Sequence, residues 1–173
     1  MKEIKLVRPL VDFKDSFLEA LVEFQREGLP WVMDLEVDSL RRDFKSFVHA
    51  ELNKRTLWTK DTPVDETELW AILNDVYVGR ISIRHKLNAD LHIMGGHIGY
   101  DTRPSYRGRG IASSMLNLAI PIAKQLGIER ALLTCNESNV PSIKIIEKNG
   151  GVLKETKSQF EGGPLKRYYW IML

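Results

Sequence analysis

The chain has 173 residues, 43% of them hydrophobic and 28% charged, with a formal net charge of +2. That is enough apolar material for a domain with a core, and too little net charge to mark a nucleic-acid binder. A lone cysteine, Cys135, rules out an internal disulfide framework, and no apolar run approaches the ~20 residues of a membrane span. Lys2-Glu3-Ile4-Lys5-Leu6 carries no apolar h-region. No signal peptide is therefore expected, and a reducing, cytoplasmic setting is.

In chain order, Ile4 to Val7 reads as a short first strand stopped at Pro9. Phe13, Phe17, Leu21 and Phe24 mark one face of a helix from about Asp12 to Glu27, closed by Gly28 and Pro30. Trp31-Val32-Met33 opens a loop carrying Asp34, Glu36 and Asp38. Asp38 or Ser39 caps a second helix through Leu40, Phe44, Phe47, Val48 and Leu52. Lys60 to Glu66 reads as surface loop. Three strands are expected next: Glu68 to Leu73, Val76 to Arg84 across an Asn74-Asp75 turn with Gly79 as a bulge, and Leu91 to Asp101 interrupted by Gly95-Gly96. Ile111, Met115, Leu118, Ile122 and Leu126 then mark a helix ending at Gly127. Arg130 to Cys135 is a buried strand, and Ser138 or Asn139 caps a helix through Glu147, with Pro141 in its first turn. Val152 to Phe160 and Lys166 to Met172 are two antiparallel strands joined through Gly162-Gly163-Pro164. This order predicts an α+β fold, a mixed and mostly antiparallel twisted sheet flanked by helices. No boundary or repeat is seen, so a single domain over residues 1–173 is expected.

The stretch from Tyr106 to Ala112 sits where a strand hands over to a helix start. Gly108 and Gly110 permit positive φ and leave no Cβ against a ligand. The first turn of the helix offers unpaired N–H groups and the positive end of its dipole, a setting that suits phosphate. Arg107 and Arg109 add charge. A Walker A loop is excluded because no Gly-Lys-Ser/Thr follows, and the dinucleotide fingerprint fails because Ser113 follows Ala112 where its last glycine is required.

What fits is Arg-x-x-Gly-x-Ala from Arg107 to Ala112, which resembles the acyl-CoA loop of the GCN5-related N-acetyltransferases. Pro104 to Ala112 resembles that family's Pro-Glu-Tyr-Arg-Gly-Lys-Gly-Ile-Gly segment. Asn139-Val140-Pro141-Ser142 and Glu147-Lys148-Asn149-Gly150 resemble two further family features. Gly95 to Tyr100, Asn149-Gly150-Gly151 and Lys166 to Ile171 are similar to a little-characterised bacterial branch of predicted acetyltransferases. The resemblance implies the acyl-CoA N-acyltransferase fold and acetyl-CoA as cosubstrate. Backbone near Thr102 and Arg103 would pair with the pantetheine arm. N–H groups of Arg107, Gly108, Arg109, Gly110, Ile111 and Ala112 would hold the pyrophosphate, and Asn139 and Ser142 would contact the cofactor.

The implied reaction is acetyl transfer to a primary amine by direct attack in a ternary complex. The acceptor is a small-molecule or protein amine. A base then has to accept the amine proton. His97 is the first candidate, beside two glycines on the strand leading to Thr102, with His85 and Asp101 behind it. In many relatives a tyrosine of the last helix protonates the leaving thiolate; counting from Asn139, Ile146 stands there, so no general acid is carried over. Tyr168 and Tyr169 are possible substitutes that would usually be core. Cys135 reads as a small buried residue, and the cysteine and histidines lack metal-site spacing. Asp34, Glu36 and Asp38 are the acids expected near the acceptor. The first alternative is a non-catalytic acyl-CoA-binding regulatory domain of the same fold; a nucleic-acid-binding module is the second, opposed by the small net charge. No membrane association is expected, and a homodimer is compatible with family habit.

Overall fold

The computed structural model describes residues 3–56 and 62–173. A short strand β1 (Lys5–Val7) leads through a 3₁₀ turn into helix α1 (Lys14–Arg26), whose buried face is Phe17, Leu18, Ala20, Leu21 and Phe24. After a second 3₁₀ turn at Pro30–Val32 come α2 (Val37–Arg42) and α3 (Phe44–Leu52). Then follow β2 (Arg55–Thr56), β3 (Val64–Leu73), β4 (Val76–Arg84), α4 (Ala89–Ile93) and β5 (Ile98–Thr102). The chain ends with α5 (Ile111–Gln125), β6 (Arg130–Asn136), α6 (Val140–Lys148), β7 (Val152–Ser158) and β8 (Leu165–Met172).

Two sheets result. One runs β1-β3-β4-β5, with β2 also on β3; the other runs β6-β8-β7. The pairings of β1 and β2 with β3, and of β6 and β7 with β8, are antiparallel. Asn74 and Asp75 join β3 to β4 with φ of 53° and 63°, as a type I′ hairpin turn requires. β5 and β6 are each the last strand of their sheet. They meet where Gly96 bridges Leu133 and the His97 N–H donates to the Leu132 carbonyl at 2.7 Å.

Contacts divide the chain into two compact units: Met1–Lys54, Glu68–Ile81 and Tyr100–Met115, and Arg55–Thr67, Ser82–Gly99 and Leu116–Leu173. The first is organised on aromatic residues. Phe17 stacks on Trp70 at 4.9 Å between centroids and meets Tyr77 edge-on at 5.1 Å. Phe44 and Phe47 close the same cluster. In the second unit Leu91, Leu132, Leu133, Ile146, Tyr168 and Tyr169 are buried.

Three expectations are corrected. The single helix expected from Asp38 to Leu52 is two, because Asp43 leaves helical geometry and its carboxylate accepts from the Ser46 N–H as the cap of α3. The strand expected over Leu91 to Asp101 is instead α4 followed by β5. Asn88 accepts from the Leu91 N–H and starts the helix, and Gly95 and Gly96, at φ 98° and 65°, turn the chain into β5. The loop expected up to Glu66 already belongs to β3 from Val64; Lys60 and Asp61 lie outside the described residues. Gly79 is a site of close approach, since a Cβ there would lie 2.5 Å from the Asp101 carbonyl.

Gly96 combines positive φ with backbone contact, as a Cβ would run into the Leu132 carbonyl. Gly96→Ala is therefore expected to destabilise the protein by about 3 kcal/mol, from left-handed strain together with overpacking. Urea unfolding measures this, and a loss below about 1 kcal/mol would show that the junction yields freely.

Candidate active site

The turn between β5 and α5 brings Thr102, Arg103 and the run Arg107–Ala112 into one continuous stretch within the first unit. Gly108 and Gly110 have φ of 74° and 78°, and a Cβ on either would meet nothing within 4 Å. Glycine is thus demanded by backbone angle, and the space beside the loop is open. The helical ladder starts with the Ser114 N–H donating to the Gly110 carbonyl at 3.0 Å. The N–H groups ahead of it project from the positive end of a 15-residue helix.

The loop is held from outside by acids of α1 spaced four residues apart. Glu19 and Glu23 accept from the Arg103 guanidinium at 3.1 and 2.8 Å. Glu23 also accepts from the Ser105 N–H and hydroxyl at 2.9 and 3.0 Å. Glu27 takes Arg107 through two bonds, of 2.8 and 2.6 Å. Burial raises the Glu23 pKa, but the Ser105 and Arg103 donors outweigh it and hold the carboxyl below the usual range. Arg109 donates to the Ser105 carbonyl and lies 5.0 Å from the centre of the Tyr106 ring. All three arginines therefore brace the loop, and the anion-binding potential rests on backbone N–H groups.

Just past β5, the Arg103 N–H is spent on the Val78 carbonyl and the Arg103 carbonyl on the Tyr106 N–H. Strand alternation turns Thr102 to the outer edge. There its carbonyl accepts from Arg107 Nε at 3.2 Å, while its buried hydroxyl has no partner among the described residues.

His97, Asn139 and Ser142 belong to the second unit. The Nδ1 of His97 accepts from the Leu132 N–H at 3.0 Å, so the neutral ring carries its proton on Nε2. Burial, then the neighbouring His92 and Arg84, lowers its pKa to about 4. A ring in this tautomer donates; accepting a proton requires giving up the Leu132 bond. Asn139 caps α6, its Oδ1 accepting from the Ser142 N–H at 3.1 Å. Ile146 is buried at 1% exposure, so the position of the relatives' tyrosine is filled by core. The Tyr168 hydroxyl donates to the Ile93 carbonyl and that of Tyr169 to Glu147, at 2.8 and 3.0 Å. Cys135 is buried and its thiol pKa is raised, chiefly by that burial. His85 meets the Thr67 hydroxyl at 2.8 Å.

A family model for the acetyltransferase (GNAT) domain matches residues 6–152. The chain belongs to the GNAT family. By family it is an N-acetyltransferase, and its mixed helix and antiparallel-sheet architecture is the acyl-CoA N-acyltransferase fold. Among solved structures, the microcin C7 self-immunity acetyltransferase MccE in complex with acetyl-CoA and AMP is 15% identical. It covers 99% of this chain and 93% of its own, with a TM-score of 0.70. RimL, a ribosomal L7/L12 alpha-N-protein acetyltransferase in complex with coenzyme A, is 16% identical over 98% and 94%, with a TM-score of 0.67. A GNAT-family acetyltransferase from Bacillus anthracis is 17% identical over 99% and 96%, with a TM-score of 0.66. None of the curated proteins matches the chain in sequence.

This GNAT chain also holds a polar cluster in its first unit that the sequence reading missed. Arg80 on β4 is buried, 3.3 Å from Glu68 and 3.6 Å from Asp101, with Trp31 4.3 Å from its guanidinium carbon. Burial opposes its charge, and the two carboxylates more than compensate. The Trp31 Nε1 and the Tyr77 hydroxyl, both shielded from water, have no hydrogen-bond partner among the described residues. The signal available in sequence was an arginine and an acid inside otherwise apolar strands. Asp34, Glu36 and Asp38 are all exposed.

Two predictions follow from these geometries. Glu23→Gln removes a carboxylate from the buried Arg103 and should cost about 2 kcal/mol, while Glu27→Gln, in a half-exposed pair, should cost less than about 1 kcal/mol. Equal losses in urea melts would sink this reading of the loop braces. Secondly, the His97 pKa falls on folding from 6.5 to about 4. Between those values the unfolded chain binds the proton and the folded one does not, so stability present above pH 6.5 is lost as the pH falls toward 4. The Tm should drop across that window, and His97→Asn, which keeps an acceptor for Leu132, should flatten the part between pH 6.5 and 5. An unchanged slope in that variant counts against it.

Proposed function

We propose that this GNAT chain transfers the acetyl group of acetyl-CoA to a primary amine by direct attack in a ternary complex. The observation that carries the reading is the loop Arg107–Ala112, with two glycines at positive φ, open space beside them, external braces and a long helix start behind. Backbone N–H groups of Arg107, Gly108, Arg109, Gly110, Ile111 and Ala112 would take the pyrophosphate. The outer edge of β5 at Thr102 would align the pantetheine arm as an added strand, as edge strands do for extended ligands. Arg103 and Arg107 would serve by shaping the loop. Asn139 and Ser142 remain proposed cofactor contacts, with the Asn139 carboxamide oxygen already committed to its cap.

The thioester supplies an activated acetyl group. The chain's task is to orient a neutral amine on it, to offer an N–H to the developing oxyanion, and to let the amine proton leave. The new C–N bond forms as the C–S bond breaks, and the thiolate takes its proton from water, since Ile146 has none to give. For His97 to be the base, the Leu132 bond must open first; we read the ring as a strand pin, with the proton leaving through solvent. RimL acts on a ribosomal protein, so a protein amine stands beside small amines as an acceptor class for this chain. Exposed Asp34, Glu36 and Asp38 suit a cationic acceptor. The alternative, an acyl-CoA-binding domain without turnover, draws its support from the missing tyrosine.

The test is calorimetric titration with acetyl-CoA and desulfo-CoA on wild type and Gly110→Gln, followed by thiol release against a panel of amines. Saturable binding that weakens at least 100-fold in the variant, with turnover on one amine, is the expected result. Binding without turnover on any amine selects the alternative, and no binding by wild type removes both.

A further inference from the structure

A second opening lies wholly within the second unit, a cavity of about 370 Å³ lined by His97, His92, Lys86, Arg130, Trp170 and Glu129 among others. His97 is 9% exposed, and its Nδ1 is taken by the Leu132 N–H. The polar group it has left is Nε2–H, which meets no partner among the described residues. Lys86 and Arg130 are exposed, and neither makes an ion pair among the described residues. Arg130 instead covers the Trp170 ring at 4.7 Å, and the same ring meets His97 edge-on at 6.3 Å. Two formal positive charges therefore face the carboxylate of Glu129, around a ring donor that opens to the cavity.

We propose that this cavity binds a small oxyanion, a phosphate or carboxylate group, seated on His97 Nε2–H and drawn in by Lys86 and Arg130. Being neutral at pH 7, the ring donates without having to be charged, so the charge comes from the two long side chains and their contribution weakens with salt. Trp170 forms an apolar wall against which the rest of the molecule bearing the anion can lie. Glu129 opposes the charge and sets a preference for singly over multiply charged groups. The proposal does not depend on the acetyl-transfer reading, because none of these side chains belongs to the β5–α5 turn.

Residue-resolved NMR provides the test, with inorganic phosphate in one arm and acetate in the other, following the His97 ring and Trp170 indole signals in the whole chain. Saturable shifts at both residues are expected with at least one anion, and the tighter arm identifies the source. His97→Asn keeps an acceptor for the Leu132 N–H while removing the Nε2 donor, and should weaken binding at least tenfold. Lys86→Gln with Arg130→Gln changes only exposed side chains and should do the same, and also reduce the salt dependence. Shifts confined to Gly108–Gly110, or affinity unchanged in the double variant, would overturn the proposal without touching the acetyltransferase reading.

Discussion

One backbone junction governs how β5 leaves its neighbours. At His97 the main chain donates to the Leu132 carbonyl, and the side chain accepts from the Leu132 N–H. The imidazole thus stands where a backbone carbonyl would stand in a ladder, and one residue satisfies both polar groups of its partner. Gly96 permits the approach, and Arg84 fixes the turn, donating to the Gly95 and Gly96 carbonyls at 3.3 and 3.1 Å while its own N–H reaches the His97 carbonyl. Among the described residues, β5 beyond this point pairs with β4 and β6 with β8, so each enters its sheet as an edge. An edge strand normally threatens aggregation. Here the edge of β5 is what an extended ligand arm would require.

The glycine loop depends on a different constraint. Positive-φ glycines cost conformational entropy, and a loop built on them must be ordered by contacts elsewhere. α1 supplies these through Glu19, Glu23 and Glu27, one per turn on a single face. Because the acids neutralise Arg103 and Arg107, the loop keeps little net side-chain charge. On the proposed reading, phosphate affinity would then derive from oriented N–H groups and the helix dipole rather than from long cationic side chains. A reader of the motif alone would assign its arginines to the ligand; in the structure Arg107 pairs with Glu27 and Arg109 with the Ser105 carbonyl and the Tyr106 ring.

Much of this was legible in the sequence because its signals are local. The Phe13–Phe24 period, the Asn74-Asp75 turn, the Gly127 stop and the Asn139 cap each act within a few residues, and the Arg107–Ala112 pattern is contiguous. The failures are of two kinds. Where two local signals compete, the weaker-looking one won: Asp43 broke a continuous helical face, and Asn88 started a helix in a run of Leu91 and Ile93 that reads equally as strand. Where the signal is long-range, sequence carried none. Nothing beside Glu23 announces Arg103, 80 residues away, and nothing in the His97 neighbourhood announces Leu132, 35 residues away.

The same distinction bears on the proton. A histidine near a glycine turn satisfies every sequence criterion for a base, yet tautomer is set by the partner of the other nitrogen. Tyr168 and Tyr169 also qualify by type, and each spends its hydroxyl inside its own sheet and helix layer. With Ile146 in the core as well, the His97 Nδ1 and the Tyr168 and Tyr169 hydroxyls are each already engaged in a hydrogen bond. On the proposed reading, an amine that arrives neutral and loses its proton to water needs none of these groups. Orientation and an oxyanion N–H would then carry the acceleration, and such a site would tolerate the absence of a tyrosine at Ile146 because its leading contributions would come from the backbone.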